Sequence, residues 1–418
     1  MKAKKSKSFI YFSVKQSITH FSRFLQMLLF CKTIVKKRLL FIFFLLSLTG
    51  SAQAILSGQA EIAVITCGPS QEELYSAFGH SAIRVRDSES GLDLAYNYGV
   101  FKFDTKFYFN FTRGNLLYNL GVYPYTRFRD DYIRQNRYIN EQILNLTPAQ
   151  KQQVMDYLPN NTRPENATYR YDYFYYNCAT KVRDVLVTLF GDRMQFNDSY
   201  AGVGHTIRDL TAMYLTRQPW GKLGIDICLG LPMDKKLTAL ECMFLPDFIE
   251  SGFDHATLNG VPIVKKKILI YKSRPEVPDI SMFHPWAVFG LFLLITTWLS
   301  YHDWKKKRLT KWFDCILFSI LGWVGVCLAM LWVATDHQAA AKNFNLLWAF
   351  PFHAIAGIWL VGNRNYPFLV KYFMVVTILS ALTLLLWSIL PQHLNVFLIP
   401  LVLASGIRAF VISAVLKP

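Results

Sequence analysis

The feature that most restricts what this chain can fold into is a series of five apolar segments after Phe283, at 286–301, 313–333, 346–361, 372–390 and 396–415. Each approaches or reaches the roughly 20 apolar residues a helix needs to cross a hydrocarbon layer about 30 Å thick. Charges fall almost wholly between the segments, and five such helices in succession do not make a soluble core. Residues 286–418 therefore read as an all-α membrane domain of about five transmembrane helices. The composition agrees, with 52% hydrophobic and only 17% charged residues, the apolar excess lying in this C-terminal part.

The formal charge of +17 belongs to the same picture. Lys and Arg crowd into the first forty residues and into short runs beside apolar stretches, as topology signals do. No recognition fold or basic recognition helix accompanies them, so nucleic acid is not an expected partner. The basic loops, Lys305-Lys306-Lys307-Arg308 with Lys311, and Arg364 with Lys371, place their side in the cytoplasm. The loops at 334–345 and 391–395 then face outward.

The N-terminus supports the same orientation. Lys36, Lys37 and Arg38 precede the apolar run 39–48, and Gly50-Ser51-Ala52-Gln53-Ala54 supplies a small-residue cleavage site, so residues 1–54 read as a secretory signal cleaved after Ala54. Alternatively the segment stays on as an anchor. The n-region is long enough for Met27 to be the true start. Residues 55–273 form an exported domain, joined to the membrane domain by a Pro-bearing linker at 274–285. Of seven cysteines, Cys67, Cys178, Cys228 and Cys242 are exported. Cys228 and Cys242 are available for a bridge in an oxidising compartment, and no Cys/His spacing suggests a metal.

Within the exported domain, 62–66 suits a buried strand, while 80–87 and 94–103 alternate as two adjacent antiparallel strands about the turn at 88–91. Thr147 and Pro148 open a surface helix through Leu158. The aromatic run 169–176 reads as a strand that stops at Asn177, and 178–190 reads as an amphipathic helix closed by Gly191. The exported domain is thus α+β.

Cys178 is the residue most poised for chemistry. Asn177 is a good N-cap, which makes Cys178 the first residue of its helix, where unpaired backbone N–H groups and the helix dipole favour a thiolate. His80 opens a strand after the flexible Phe78-Gly79 step, where an imidazole stays accessible as a base. A third group to orient it would come from the neighbouring strand. Asn97 is the candidate, with Asp87, Asp93 and Tyr98 as competitors. Ser81, Tyr98 and Asn177 are expected to contact substrate, and His337, in an outward loop, is a further candidate.

Four stretches, 76–84 (SAFGHSAIR), 96–101 (YNYGVF), 175–180 (YYNCAT) and 244–247 (FLPD), together resemble the Lnb-type lipoprotein N-acyltransferases, in which a periplasmic domain precedes a helical membrane domain. The same domain is similar, more distantly, to the permuted papain-like group that includes NlpC-type peptidases and lecithin:retinol acyltransferases. There the His strand precedes the Cys helix, as His80 precedes Cys178. The resemblance implies Cys178 as nucleophile, His80 as base, no cofactor, and a location in a bacterial inner membrane with the catalytic domain in the periplasm. Its implied substrates are a phospholipid acyl donor and a diacylglyceryl lipoprotein acceptor, joined through a Cys thioester. Those families often carry a second His where this chain has none between 94 and 103. Two other classes fit the same residues: a cysteine peptidase or amidase acting on peptidoglycan, and a non-catalytic membrane scaffold whose Cys178 is structural.

Overall fold

The computed structural model describes residues 36, 55–101, 105–275, 283–362 and 367–417. The chain divides into two units, Met1–Ile55 and Leu56–Pro418. Lys36 apart, the expected signal at 1–54 lies outside the described residues, as does the middle of the expected linker, 276–282. Everything below concerns the second unit.

A seven-stranded sheet organises the exported part. Its strands are β1 (Glu61–Cys67), β2 (His80–Asp87), β3 (Leu92–Val100), β4 (Leu116–Pro124), β5 (Ile139–Leu144), β6 (Thr168–Tyr171) and β10 (Val264–Tyr271), in the order β10-β5-β1-β2-β3-β4-β6. Every neighbouring pair is antiparallel. Three short strands, β7 (Met194–Phe196), β8 (Ala256–Leu258) and β9 (Val261–Pro262), make a second small sheet.

Helices cover both faces of the large sheet, which explains why β1 and β2 are buried almost throughout. On one face lie α3 (Pro148–Asn160), α4 (Cys178–Phe190) and α7 (Pro246–Asp254), packed over Ile62, Val64, Ile83, Val85, Tyr96 and Tyr98. On the other lies α2 (Tyr125–Arg134), which sets Tyr125 and Phe128 on Ile65, Cys67, Ala82 and Ala95. Outside the sheet stand α1 (Phe107–Arg113), α5 (Ile207–Tyr214) and α6 (Pro219–Cys228).

The caps are those the residue types call for. Thr147 closes a capping box with Gln150, and Pro148 fills the first helical position, where its missing N–H costs nothing. Asn177 does the same for α4 with Thr180. The aromatic run at 169–176 departs from expectation, because β6 ends at Tyr171. Asp172 Oδ1 accepts from the N–H groups of Phe174 and Tyr175 at 2.9 and 3.0 Å, and this local turn competes with strand.

Beyond Phe283 the chain is helical: α8 (Pro285–Lys306), α9 (Lys311–Val333), α10 (His353–Trp359), α11 (Pro367–Leu385) and α12 (Ile399–Leu416). Among the described residues three helices are long and apolar enough to cross a membrane, Lys311–Val333, Pro367–Leu385 and Val396–Leu416. Helix α8 has the length, with a last turn that carries Asp303, Lys305 and Lys306.

The expected helix at 346–361 is corrected. A 3₁₀ turn occupies Phe344–Leu347, Pro351 interrupts the segment, and only His353–Trp359 is α-helical. The segment still travels along α9, since Ala349 lies opposite Gly325, Ala354 opposite Gly322 and Gly357 opposite Cys315. A Cβ at Gly322 would sit 2.0 Å from the Ala354 nitrogen, and one at Gly325 1.9 Å from the Ala349 oxygen. Two glycines one turn apart thus hold open a backbone-width groove. Irregular backbone is tolerated at membrane depth only where protein covers it, and α9 supplies that cover.

Both loops expected to face outward dock on one exported segment. Asn343, Gln392 and Asn395 donate to the Ile227 carbonyl (2.7 Å), the Leu229 carbonyl (2.9 Å) and Asp226 Oδ2 (2.8 Å). Gly230 N–H donates to the Ala339 carbonyl at 2.8 Å. Arg208 pins this segment from behind, 3.1 Å from Asp226 and 2.9 Å from Asp234. Cys228 and Cys242 are both free thiols, so the bridge envisaged between them is absent from the structure.

Candidate active site

The site forms where α4 meets the end of β2. Gly79, in the left-handed region at φ +81°, turns the chain into β2 so closely that a Cβ would lie 2.9 Å from the Cys67 carbonyl. The ladder between β2 and β3 stops at Ile83–Tyr96. His80 and Asn97 project from that unpaired end, and His80 Nε2 lies 2.6 Å from Asn97 Oδ1. Because that oxygen accepts, Nε2 carries the proton and Nδ1 is left as the basic nitrogen.

Cys178 reaches the same end from the opposite face as the first residue of α4. Burial alone would push its thiol up. The charge and hydrogen bond of His80, with the backbone N–H groups of Ser81 and Ala179, outweigh burial and hold the thiol below its ordinary value. Cys67, buried on β1 with no such partner set, is pushed far up by burial. Cys67 and Cys178 are therefore electrostatic opposites, and of these two Cys178 is the one suited to act as a nucleophile.

Strand alternation decides the remaining candidates. Tyr98 turns to the core face opposite Asn97, is 3% exposed, and accepts from Asn161 Nδ2 at 3.2 Å. It does not line the cavity that Cys178 lines. The Ser81 side chain is wholly buried, and Ser81 meets the site only through its backbone N–H. Asn177 accepts from Thr180 N–H at 3.0 Å and donates to the carbonyls of Tyr173 and Phe244, both at 2.8 Å. Its side chain is spent on holding the helix start. His337 Nε2 lies 2.7 Å from the Phe111 carbonyl, which ties the outward loop to α1.

Tyr132 and Gly99 are neighbours that sequence reading passed over. The Tyr132 ring stacks on His80 at 5.9 Å and 17°. Its signal was present, since Tyr125, Phe128 and Tyr132 stand at helical spacing on one side of α2. Gly99, at φ +92°, keeps a Cβ from lying 3.5 Å from that of Cys178.

Cys178 lines a cavity of about 1080 Å³, slightly above the roughly 300–1,000 Å³ usual for ligand sites. Its walls are mainly apolar and aromatic, Phe101, Phe111, Tyr118 and Tyr171 among them, and they continue to Leu331 on α9 and to Ala339 in the outward loop. Cys178, His80 and Asn97 thus line one largely apolar chamber shared by both parts of the chain.

Residues 55–212 match the family model of the Lnb N-terminal periplasmic domain, and residues 277–417 match that of the Lnb transmembrane domain. No curated protein and no solved structure matches the chain. The two models follow one another in the order of the sheet and the helices and together account for most of the sequence. The chain belongs to the Lnb family, inner-membrane proteins of lipoprotein maturation with a periplasmic domain.

Proposed function

We propose that the protein is a thiol acyltransferase that moves an acyl chain from a phospholipid to the N-terminal amine of a diacylglyceryl lipoprotein. The observation that carries this reading is that Cys178 and His80 line a largely apolar cavity that reaches Leu331 of the membrane domain. A soluble peptide would have no use for such walls. His80 Nδ1 takes the thiol proton, and the thiolate attacks the ester carbonyl of the donor. The C–O bond breaks, the proton passes from His80 to the departing oxygen, and a lysophospholipid leaves a thioester on Cys178.

In the second half-reaction His80 removes a proton from the attacking α-amine, the amide forms, and the sulfur is released as thiolate. The Ser81 and Ala179 N–H groups that face the sulfur are the donors nearest each tetrahedral intermediate, where one such donor contributes about 3–4 kcal/mol. Asn97 fixes the tautomer that this proton traffic requires.

The test is purified full-length protein given phospholipid and a diacylated lipopeptide with a free N-terminus. We expect an N-acylated peptide and a lysophospholipid, both lost in Cys178→Ala. Enzyme incubated with donor alone should release fatty acid on treatment with hydroxylamine, because a thioester is cleaved by it and an amide is not. Cleavage of peptidoglycan fragments with the lipid left intact would replace this reading with a peptidase.

A further inference from the structure

Helix α1 has no buried residue, and its outer side is aromatic: Tyr108, Phe109 and Phe111 are 70%, 63% and 52% exposed. Three large rings on a single two-turn helix are hard to leave in water. The hydrogen bonds of α1 show where it lies. The Arg113 carbonyl accepts from Asp336 N–H at 2.9 Å, and the Phe111 carbonyl is 2.7 Å from His337 Nε2. The junction is close-packed as well, since a Cβ on Gly114, at φ +71°, would come within 2.9 Å of the His337 nitrogen.

Helix α9 serves as a ruler. Its 23 residues, Lys311–Val333, span about 34 Å at 1.5 Å per residue, slightly more than a hydrocarbon layer of about 30 Å. With Lys311 at the cytoplasmic side, Val333 reaches the outer boundary, and Asp336 and His337 stand in the headgroup layer. Helix α1, bonded to those two residues, lies at that level. A second marker agrees: the Trp220 indole N–H donates to the Phe283 carbonyl at 2.6 Å, directly ahead of α8, whose start must also be at the outer boundary. Tyr, Trp and Phe are the residues such a layer accepts, and basic side chains suit the phosphates beside it. Arg113 lies over the Phe109 ring at 5.6 Å.

We propose that α1 is an interfacial membrane element, with Tyr108 and Phe109 immersed in the outer leaflet, and that lipid reaches Cys178 from the bilayer past this helix. Phe111 belongs both to the exposed side and to the cavity wall, so the route from leaflet to thiol is continuous along α1. The access half of the proposal rests on the acyltransferase reading. The immersion half does not.

The experiment uses full-length protein in proteoliposomes, with a fluorescent amino acid placed at position 109 and, as control, at position 269. Leu269 is 56% exposed on β10, at the sheet edge away from β4. Lipids brominated in the acyl chain should quench the probe at 109 by at least twofold and leave that at 269 unchanged. Equal quenching at the two positions, or none at 109, overturns immersion. The measurement works equally in Cys178→Ala protein, so a wrong acyltransferase reading leaves it intact.

For access, Phe109→Asp should raise the KM for vesicle phospholipid about tenfold, the equivalent of 1.4 kcal/mol. Its turnover with a water-soluble short-chain acyl thioester should be unchanged. Equal loss on both donors would show that the substitution harms the site itself, and an unchanged KM would show that lipid arrives by another route. Either result overturns the access half.

Discussion

Replacing Arg208 with Met tests whether the exported and membrane parts are held together by electrostatics in the way the structure indicates. The guanidinium bonds to Asp226 and Asp234 and to the carbonyls of Leu229 and Gly230, at 2.9–3.2 Å. The two carboxylates are 5% and 2% exposed in their side chains, so removing the cation leaves buried negative charge. Breaking a buried pair in this way costs about 3–5 kcal/mol. Asp226 keeps Lys222 at 2.5 Å and Asn395 at 2.8 Å, which argues for the lower figure, about 3 kcal/mol. The perturbed segment is the one that receives the outward loops, and its opening equilibrium should rise on the order of a hundredfold.

Hydrogen exchange in full-length protein reads this directly. Gly230 and Leu231 N–H groups donate to the Ala339 and Lys342 carbonyls, and in Arg208→Met they should exchange on the order of a hundredfold faster. Strand β1 should be unaffected. Adding Asp234→Asn should recover part of the loss, because the orphaned charge is then gone. A rise below threefold at Gly230, or one shared equally by β1, would refute the assignment of this network to the junction.

Three further outcomes follow from the site and the membrane core. The rate of Cys178 alkylation against pH should inflect below the ordinary thiol range and move upward in His80→Ala. The sign follows from a depressed pKa: the thiolate persists above it and is lost as pH falls through it, whereas without His80 the burial that raises the pKa prevails; coincident profiles would show that His80 is not its partner. Asn97→Ala should lower kcat by about a hundredfold with little change in KM, since it releases the imidazole rather than a substrate contact, and steady-state kinetics in detergent would show this. Arg408 is fully buried against Asp303 and Asp314, so Arg408→Met should destabilise the helical domain by about 3–5 kcal/mol, read as a lower detergent-unfolding midpoint, while Arg408→Met with Asp314→Leu should recover part of it.

The degree to which the structure was legible in advance depended on the kind of interaction involved. Helix α4 was readable from 178 to 190 because Asn177 and Gly191 mark its ends and Val182, Val185, Leu186 and Phe190 supply its buried side. The pairing of Cys178 with His80 was reachable from the N-cap and from the resemblance. The contact of His80 with Asn97 was only a choice among four side chains, because register between strands is a long-range property. The burial of the Tyr98 and Ser81 side chains has one cause: each alternates onto the core face, and one step along a strand reverses a side chain. The aromatic run before Asn177 misled because local strand propensity lost to the side-chain turn at Asp172.

By itself the sequence determined what local pattern and solvent preference decide: a membrane half with its basic loops inward, an outward-facing domain, the ends of α4, and a thiol at a helix start. Those properties depend on residues near one another in the chain or on transfer from water to lipid, so no partner surface is needed to read them. Tertiary structure alone decided that the segment 346–361 crosses as a broken path in a glycine groove of α9, that Asn97 is the side chain bonded to the imidazole, and that the cavity at Cys178 is walled by both parts of the chain. Each of these joins residues many tens of positions apart. Their energy comes from close packing and from satisfying buried polar groups, which are fixed only when both surfaces are in place.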